Sequence, residues 1–155
     1  MINLSNILIL DIVGLFILLA GFIIGLGAVT VIDIHGFLGR KSSYWTVATT
    51  RTHKVTKPLI WCGIFLVIIG GLIFYRNDTV SVIPFIHLGC SILLILNGLF
   101  LSFRVSPFLL QREKDSRDGE LLPTSWQTKI IFSLILSDIL WWGSLLLLVI
   151  YVLQK

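Results

Sequence analysis

Four apolar runs, each long enough to cross a bilayer, constrain this chain more than any other feature. They cover residues 7–32, 58–75, 80–103 and 130–152. A helix needs about 20 predominantly apolar residues to span the hydrocarbon core. The pattern therefore predicts an all-α membrane protein, a single four-transmembrane-helix bundle over residues 1–155. Two substantial connections lie between the runs, and neither has room for a separate soluble domain. No phosphate loop, nucleophile elbow or HExxH occurs, so the sequence leaves open whether this is an enzyme.

The chain is 56% hydrophobic and 13% charged, whereas soluble domains carry about 25% charged residues. A water-exposed globule is excluded. The formal charge of +4 is a matter of topology and does not point to nucleic acid. Arg40, Lys41, Arg51, Lys54 and Lys57 crowd the first connection, and Arg104, Arg112, Lys114, Arg117 and Lys129 surround the third. The second has Arg76 alone. Short loops rich in Lys and Arg stay in the cytoplasm, which predicts an N-out/C-out, multi-pass protein of a bacterial inner (plasma) membrane. The lipid bilayer is then its first partner. Met1-Ile2-Asn3-Leu4 lacks a basic n-region and the first run exceeds a signal h-region, so that run is expected to be a retained helix.

Gly14, Gly21 and Gly25 share one face of the first helix, and Gly21 with Gly25 forms a GxxxG match. Such faces let membrane helices approach closely. Packing inside the monomer is expected here, with a homo-oligomer or a membrane-protein partner as the alternative use. Cys62 and Cys90 fall within spans and read as two buried apolar thiols. Ser42 or Ser43 is placed to cap a helix starting near Tyr44, with Pro58 kinking it or opening its buried part. The third span is expected to end near Arg104, because Pro107 discourages continuation. Residues 111–120, of mixed charge, read as a solvated turn, and Thr124 or Ser125 as the cap of the last helix.

Ionisable groups within spans are costly and count as functional candidates. Asp11, His87 and Asp138 are such groups, with Asn97 an uncharged companion. Depth along each helix predicts an Asp11–His87 pair in one half of the bilayer. It also puts Asp138 within about one turn of Asn97 in the other half. His87, Ser91, Leu94 and Asn97 recur at helical spacing, as do Ser133, Ser137, Trp141 and Ser144. Hydrogen bonds of this kind also serve simply to hold helices together, at about 0.6–2 kcal/mol each. At the basic end, Asp33, His35, Arg51 and His53 form either a metal site of no standard zinc spacing or a charged surface with an Asp33–Arg51 pair.

The stretch from Gly25 to Asp33, Arg51 to Lys57 leading into Pro58-Leu59-Ile60-Trp61, Gly70-Gly71, Asn97-Gly98-Leu99 with Pro107, and Ser125-Trp126 resemble small bacterial membrane proteins related to the CopD and HemJ-type group. The match is one of pattern over nearly the whole chain. The resemblance implies a four-helix architecture. For HemJ-type proteins it also implies a haem-associated protoporphyrinogen oxidase with a histidine in the first helix and a lysine in the third. This chain has Asp11 and His87 at those places, and no Met- or His-rich tract for copper.

Three functional classes follow. The first is binding of haem b or another tetrapyrrole in redox or haem metabolism. His87 would be the axial metal ligand, and Arg51, His53, Lys54 and His35 would offer cations or another ligand. The second is a proton- or ion-coupled transport component relaying through Asp11, His87 and Asp138. The third is a non-catalytic membrane assembly subunit.

Overall fold

The computed structural model describes residues 4–78 and 81–154, with side chains described from Leu8 onward. Met1–Asn3, Val80 at the start of the third apolar run, and Lys155 lie outside the described residues. Five α-helices follow in order: α1 (Leu4–Leu38), α2 (Ser43–Phe74), α3 (Ile83–Phe100), α4 (Ser106–Lys114) and α5 (Thr124–Gln154). A π-helical turn, Leu101–Val105, joins α3 to α4 without a break. Four helical segments are long and apolar enough to cross a membrane: Leu8–Leu38, Ser43–Phe74, Ile83–Lys114 and Thr124–Gln154. This is a multi-pass membrane protein by that criterion. Phe16, Ile23, Leu72, Phe85 and Phe132 are each at least 70% exposed on the outside of the bundle. Apolar surface of this extent is what a bilayer covers.

The helices outrun the apolar runs at the basic end. α1 continues past Ile32 through Asp33 and His35, because nothing before Gly39 breaks it, and it closes with the Gly39 N–H bonded to the His35 carbonyl. α2 begins at Ser43, with Ser42 at its cap position but no side-chain cap bond. Pro58 lies inside α2. The expected stop at Arg104 is not observed. The Ser106 N–H reaches back five residues to the Leu101 carbonyl, so the π-turn shifts the bonding register just before Pro107. Pro107 lies just past this π-turn, and the register shift accommodates its ring and missing N–H without ending the helix.

The pairing of α1 with α2 is set by glycine. A Cβ added to Gly14 would lie 2.8 Å from the Phe74 nitrogen, and one added to Gly21 would lie 2.7 Å from that of Val67. Gly70 leaves equal room for the Leu18 backbone. The glycine face of the first helix thus packs inside the chain. α5 completes the core with Trp141, which is fully buried, and the Trp141 ring tip lies against Gly25. His87, Ser91, Leu94 and Asn97 are the buried face of α3, and Ser133, Ser137, Trp141 and Ser144 are buried on α5. Both sets match the helical spacing read from the sequence. Both cysteines are free; Cys90 is half-buried, but Cys62 is exposed on the outer surface of α2.

Residues 111–120 are more ordered than a solvated turn. Gln111 to Lys114 complete α4, and the buried Arg112 guanidinium donates to the carbonyls of Arg117 and Glu120 at 3.1 and 2.9 Å. The Ser43 hydroxyl donates to the Gly119 carbonyl, and Lys54 pairs with Glu113 at 2.7 Å. On the exposed rim, hydrogen bonds from Arg117 hold the Glu120 carboxyl below its ordinary range. The connection between α4 and α5 is thereby tied down over the basic end.

Candidate functional site

One register governs the whole α1–α2 pair. Gly14 faces Phe74, Gly25 faces Gly63 and Gly39 faces Thr49, so each step along α1 is matched by an equal step back along α2. Carried to Asp33, this register puts that residue level with the turn of α2 that holds His53 and Lys57, and all three line one cavity. From the other side α5 delivers Asp138, whose carboxyl meets that of Asp33 at hydrogen-bonding range. Neither carboxylate has a donor of its own to offer, so a bond between two carboxyls requires one proton held by the pair. The Asp33–Arg51 pairing expected from the sequence is replaced by this contact, because α1 stays helical and turns Asp33 toward α5 while Arg51 is exposed.

Asp33 opens onto a cavity of about 90 Å³ bounded by all four spanning segments. Val29, Ile64, Leu94 and Leu134 are among its apolar walls, and Arg40, His53 and Lys57 line it with Asp33. Three buried polar atoms have no hydrogen-bond partner among the described residues: Asp33 Oδ2, His53 Nε2 and Trp141 Nε1. All three belong to residues lining this cavity. An unmet buried donor or acceptor costs about 1–3 kcal/mol, and three around one cavity mark a place built to receive polar groups. The threonines nearby are already satisfied. Thr46 donates to the Gly39 carbonyl at 2.8 Å, and Thr49 and Thr50 donate to carbonyls one turn back.

The opposite end holds a second polar group, differently connected from the expectation. Asp11 pairs with Arg76 at 2.7 Å, with both side chains about one-quarter exposed. Arg76 stands just past the apolar run and folds back along α2, donating also to the Ile73 carbonyl. His87 is bonded instead to the Tyr75 hydroxyl and the Ser144 carbonyl, each at 2.7 Å. The carbonyl can only accept, so Nε2 carries a proton and Nδ1 takes the Tyr75 hydroxyl proton in the neutral ring. Burial pushes the Tyr75 phenol above its ordinary value, which keeps that donor in place. A cavity of about 260 Å³ adjoins Tyr75, Arg76 and His87.

Asn97 and Asp138 do not meet as partners. The Asn97 amide donates to the Ser133 carbonyl at 3.1 Å, and the Ser133 hydroxyl donates to Asn97 Oδ1 at 2.6 Å. Asp138 is five residues further along α5 and faces α1. His35 bonds back to the Val31 carbonyl and stacks edge-on against Trp45. The four residues Asp33, His35, Arg51 and His53 thus split, with Asp33 and His53 at the cavity. Among the described residues no group of three His, Cys, Asp or Glu is placed to hold a metal ion. Both ring nitrogens of His87 are already hydrogen-bonded, so an axial bond to iron there would have to displace one of them. His53, with its unpartnered Nε2, offers the available imidazole nitrogen.

Asp33, His53 and Asp138 stand out in the sequence, but nothing there joins them, and Lys57 reads only as part of the basic connection. The Trp141 indole gave one usable hint, a tryptophan at mid-helix on the same face as Ser133, Ser137 and Ser144. No family model matches the chain, and no curated protein or solved structure matches it.

Proposed function

We propose that this chain is a proton-coupled transport component, with the Asp33–Asp138 pair as its proton-carrying group. The observation that carries the reading is the meeting of two carboxyls at the wall of a cavity lined by His53 and Lys57. Like charges that close cannot both stay ionised in an apolar bundle, so the pair takes up and gives off a proton as a unit. Binding a ligand beside it and moving a proton are then linked through one contact. The relay differs in membership from Asp11, His87 and Asp138: Asp33 and His53 join it at the basic end, and His87 serves the far end through Tyr75. The Lys and Arg distribution supports placing the basic end in the cytoplasm of a bacterial inner membrane, with both termini outside.

Vesicles reconstituted with the protein and loaded with a pH-sensitive dye test this. An imposed ion gradient should drive acidification or alkalinisation, and Asp138→Asn, which keeps size and hydrogen bonding but not the charge, should abolish it. Equal flux in wild type and variant would sink the reading, and no flux in either would favour an assembly subunit. Tetrapyrrole binding, which the CopD and HemJ-type resemblance suggests, is a second reading favoured by the free nitrogen of His53. In that case protein purified after expression with ample haem carries a Soret band that His53→Ala removes and His87→Ala leaves. A colourless wild type would dismiss it.

A further inference from the structure

Two contacts tie the third spanning segment to α5 near the basic end. Asn97 exchanges hydrogen bonds with Ser133, and Phe108 stacks on Trp126 with ring centroids 4.1 Å apart and planes within 6°. Between these rungs each helix carries one exposed cation. Arg104 stands one turn before Phe108, and Lys129 lies between Trp126 and Ser133. The helices run antiparallel, so Arg104 and Lys129 come level to within one helical turn, about 5 Å. Ser102 takes a hydrogen bond from the Trp61 indole at 3.2 Å and so faces α2. Arg104, about half a turn further on, faces away from α2 and stands beside the seam with α5. Arg104 directly follows the third apolar run, and Lys129 directly precedes the last. Both therefore stand where headgroups meet hydrocarbon. Phe103 and Phe132, 73% and 70% exposed, lie beside them on the apolar side.

Neither cation has an acid for a partner. No Asp or Glu lies within eight residues of either along the chain, and neither joins an ion pair among the described residues. Glu113 is taken by Lys54, and Glu120 by Arg112 and Arg117. Lys129 rests over the Trp126 ring at 5.3 Å, a contact that positions the ammonium and leaves its charge uncancelled. Two like charges side by side repel, and a shared anion replaces that repulsion with two attractions. We infer that this seam binds an anionic phospholipid, its phosphate bridging Arg104 and Lys129 and its chains lying over Phe103 and Phe132. A guanidinium takes phosphate oxygens in pairs and an ammonium acts as a point charge, while Trp126 suits headgroup depth. A zwitterionic lipid brings a cation of its own to the same place and loses much of the gain. The site is separate from the proton-carrying pair and does not rest on it. Asp138 is nine residues along α5 from Lys129, about 13 Å deeper.

Native mass spectrometry of the whole protein in a neutral detergent provides the test, with phosphatidylglycerol and phosphatidylcholine of identical chains as probes. The first phosphatidylglycerol should bind more tightly than the first phosphatidylcholine. Arg104→Gln and Lys129→Gln should each raise its dissociation constant about fivefold, the effect of one cation near a membrane surface. Both should leave phosphatidylcholine binding unchanged. Arg104→Lys should keep most of the affinity, which separates charge from fold. Lys41 and Lys114 are exposed cations of the same end, also outside the ion pairs and away from the seam. Lys41→Gln and Lys114→Gln should leave phosphatidylglycerol binding as it is, and millimolar inorganic phosphate should not displace the lipid. Equal affinity for the two lipids would overturn the proposal. So would equal weakening by all four glutamine variants, the mark of diffuse surface charge, or displacement by inorganic phosphate, the mark of a free-anion site.

Discussion

Gly63 of α2 stands against Gly25 of α1 so closely that a Cβ on Gly63 would lie 2.5 Å from the Gly25 Cα. The neighbour there is backbone, which cannot rotate away. This contact fixes the register that brings Asp33 level with the turn of α2 that holds His53 and Lys57.

Gly63→Leu should therefore destabilise the protein by about 1–3 kcal/mol or more through overpacking, and should disturb the site more than 10 Å away along the helix. Gly89→Ala and Gly143→Ala are the controls, because an added Cβ meets nothing within 4 Å at either. Those two should be neutral or gain up to about 1 kcal/mol of helix propensity. Thermal unfolding in detergent distinguishes the cases, and equal effects at all three positions would contradict the packing account.

Asp11 and Arg76 should be energetically coupled. A double-alanine cycle is expected to return about 1 kcal/mol, as for part-buried pairs and polar contacts between membrane helices. A coupling energy of zero would mean that the 2.7 Å contact contributes nothing to stability.

Tyr75 and His87 set a pH dependence whose sign can be stated. The phenol's folded pKa is raised by burial, so its contribution is fully present below the unfolded value near about 10 and is lost as pH rises through the folded one. Stability should fall on alkaline titration, and Tyr75→Phe should lack that part of the fall. His87→Ala leaves the Tyr75 hydroxyl and the Ser144 carbonyl unmet, for an expected cost of about 1–3 kcal/mol at neutral pH. An alkaline fall of equal size in wild type and Tyr75→Phe would assign it elsewhere.

Much of this architecture is legible in the sequence, since bilayer thickness sets helix length and four apolar runs leave few arrangements. The buried faces of α3 and α5 followed from the spacing of their polar residues. Partners were harder, for definite reasons. Depth along a helix is readable from rise per residue, but rotation about the axis is not when lipid-facing and core-facing positions are equally apolar. That is why Asn97 found Ser133 and not Asp138. Arg76 reached back from beyond its run to take Asp11, which a count of residues within spans overlooks. Asp33 reads as a surface residue because Ile32 ends the apolar run, yet α1 stays helical to Leu38 and carries it to α5.

The topology is tested by single cysteines at Ser42 and Ser116, in a background with Cys62 and Cys90 replaced by alanine. Both positions lie at the basic end, outside the regular helices, and Ser116 is exposed. In intact cells both should resist a membrane-impermeant thiol reagent and react once the membrane is opened. Labelling of both from outside would invert the orientation.

The shared proton of Asp33 and Asp138 is the centre of the account, and infrared spectroscopy reads it directly. At neutral pH the carbonyl-stretch region should contain a protonated carboxylic acid band that disappears in both Asp33→Asn and Asp138→Asn and shifts on transfer to heavy water. A spectrum with no protonated acid band at neutral pH, or one unchanged by both substitutions, would contradict it.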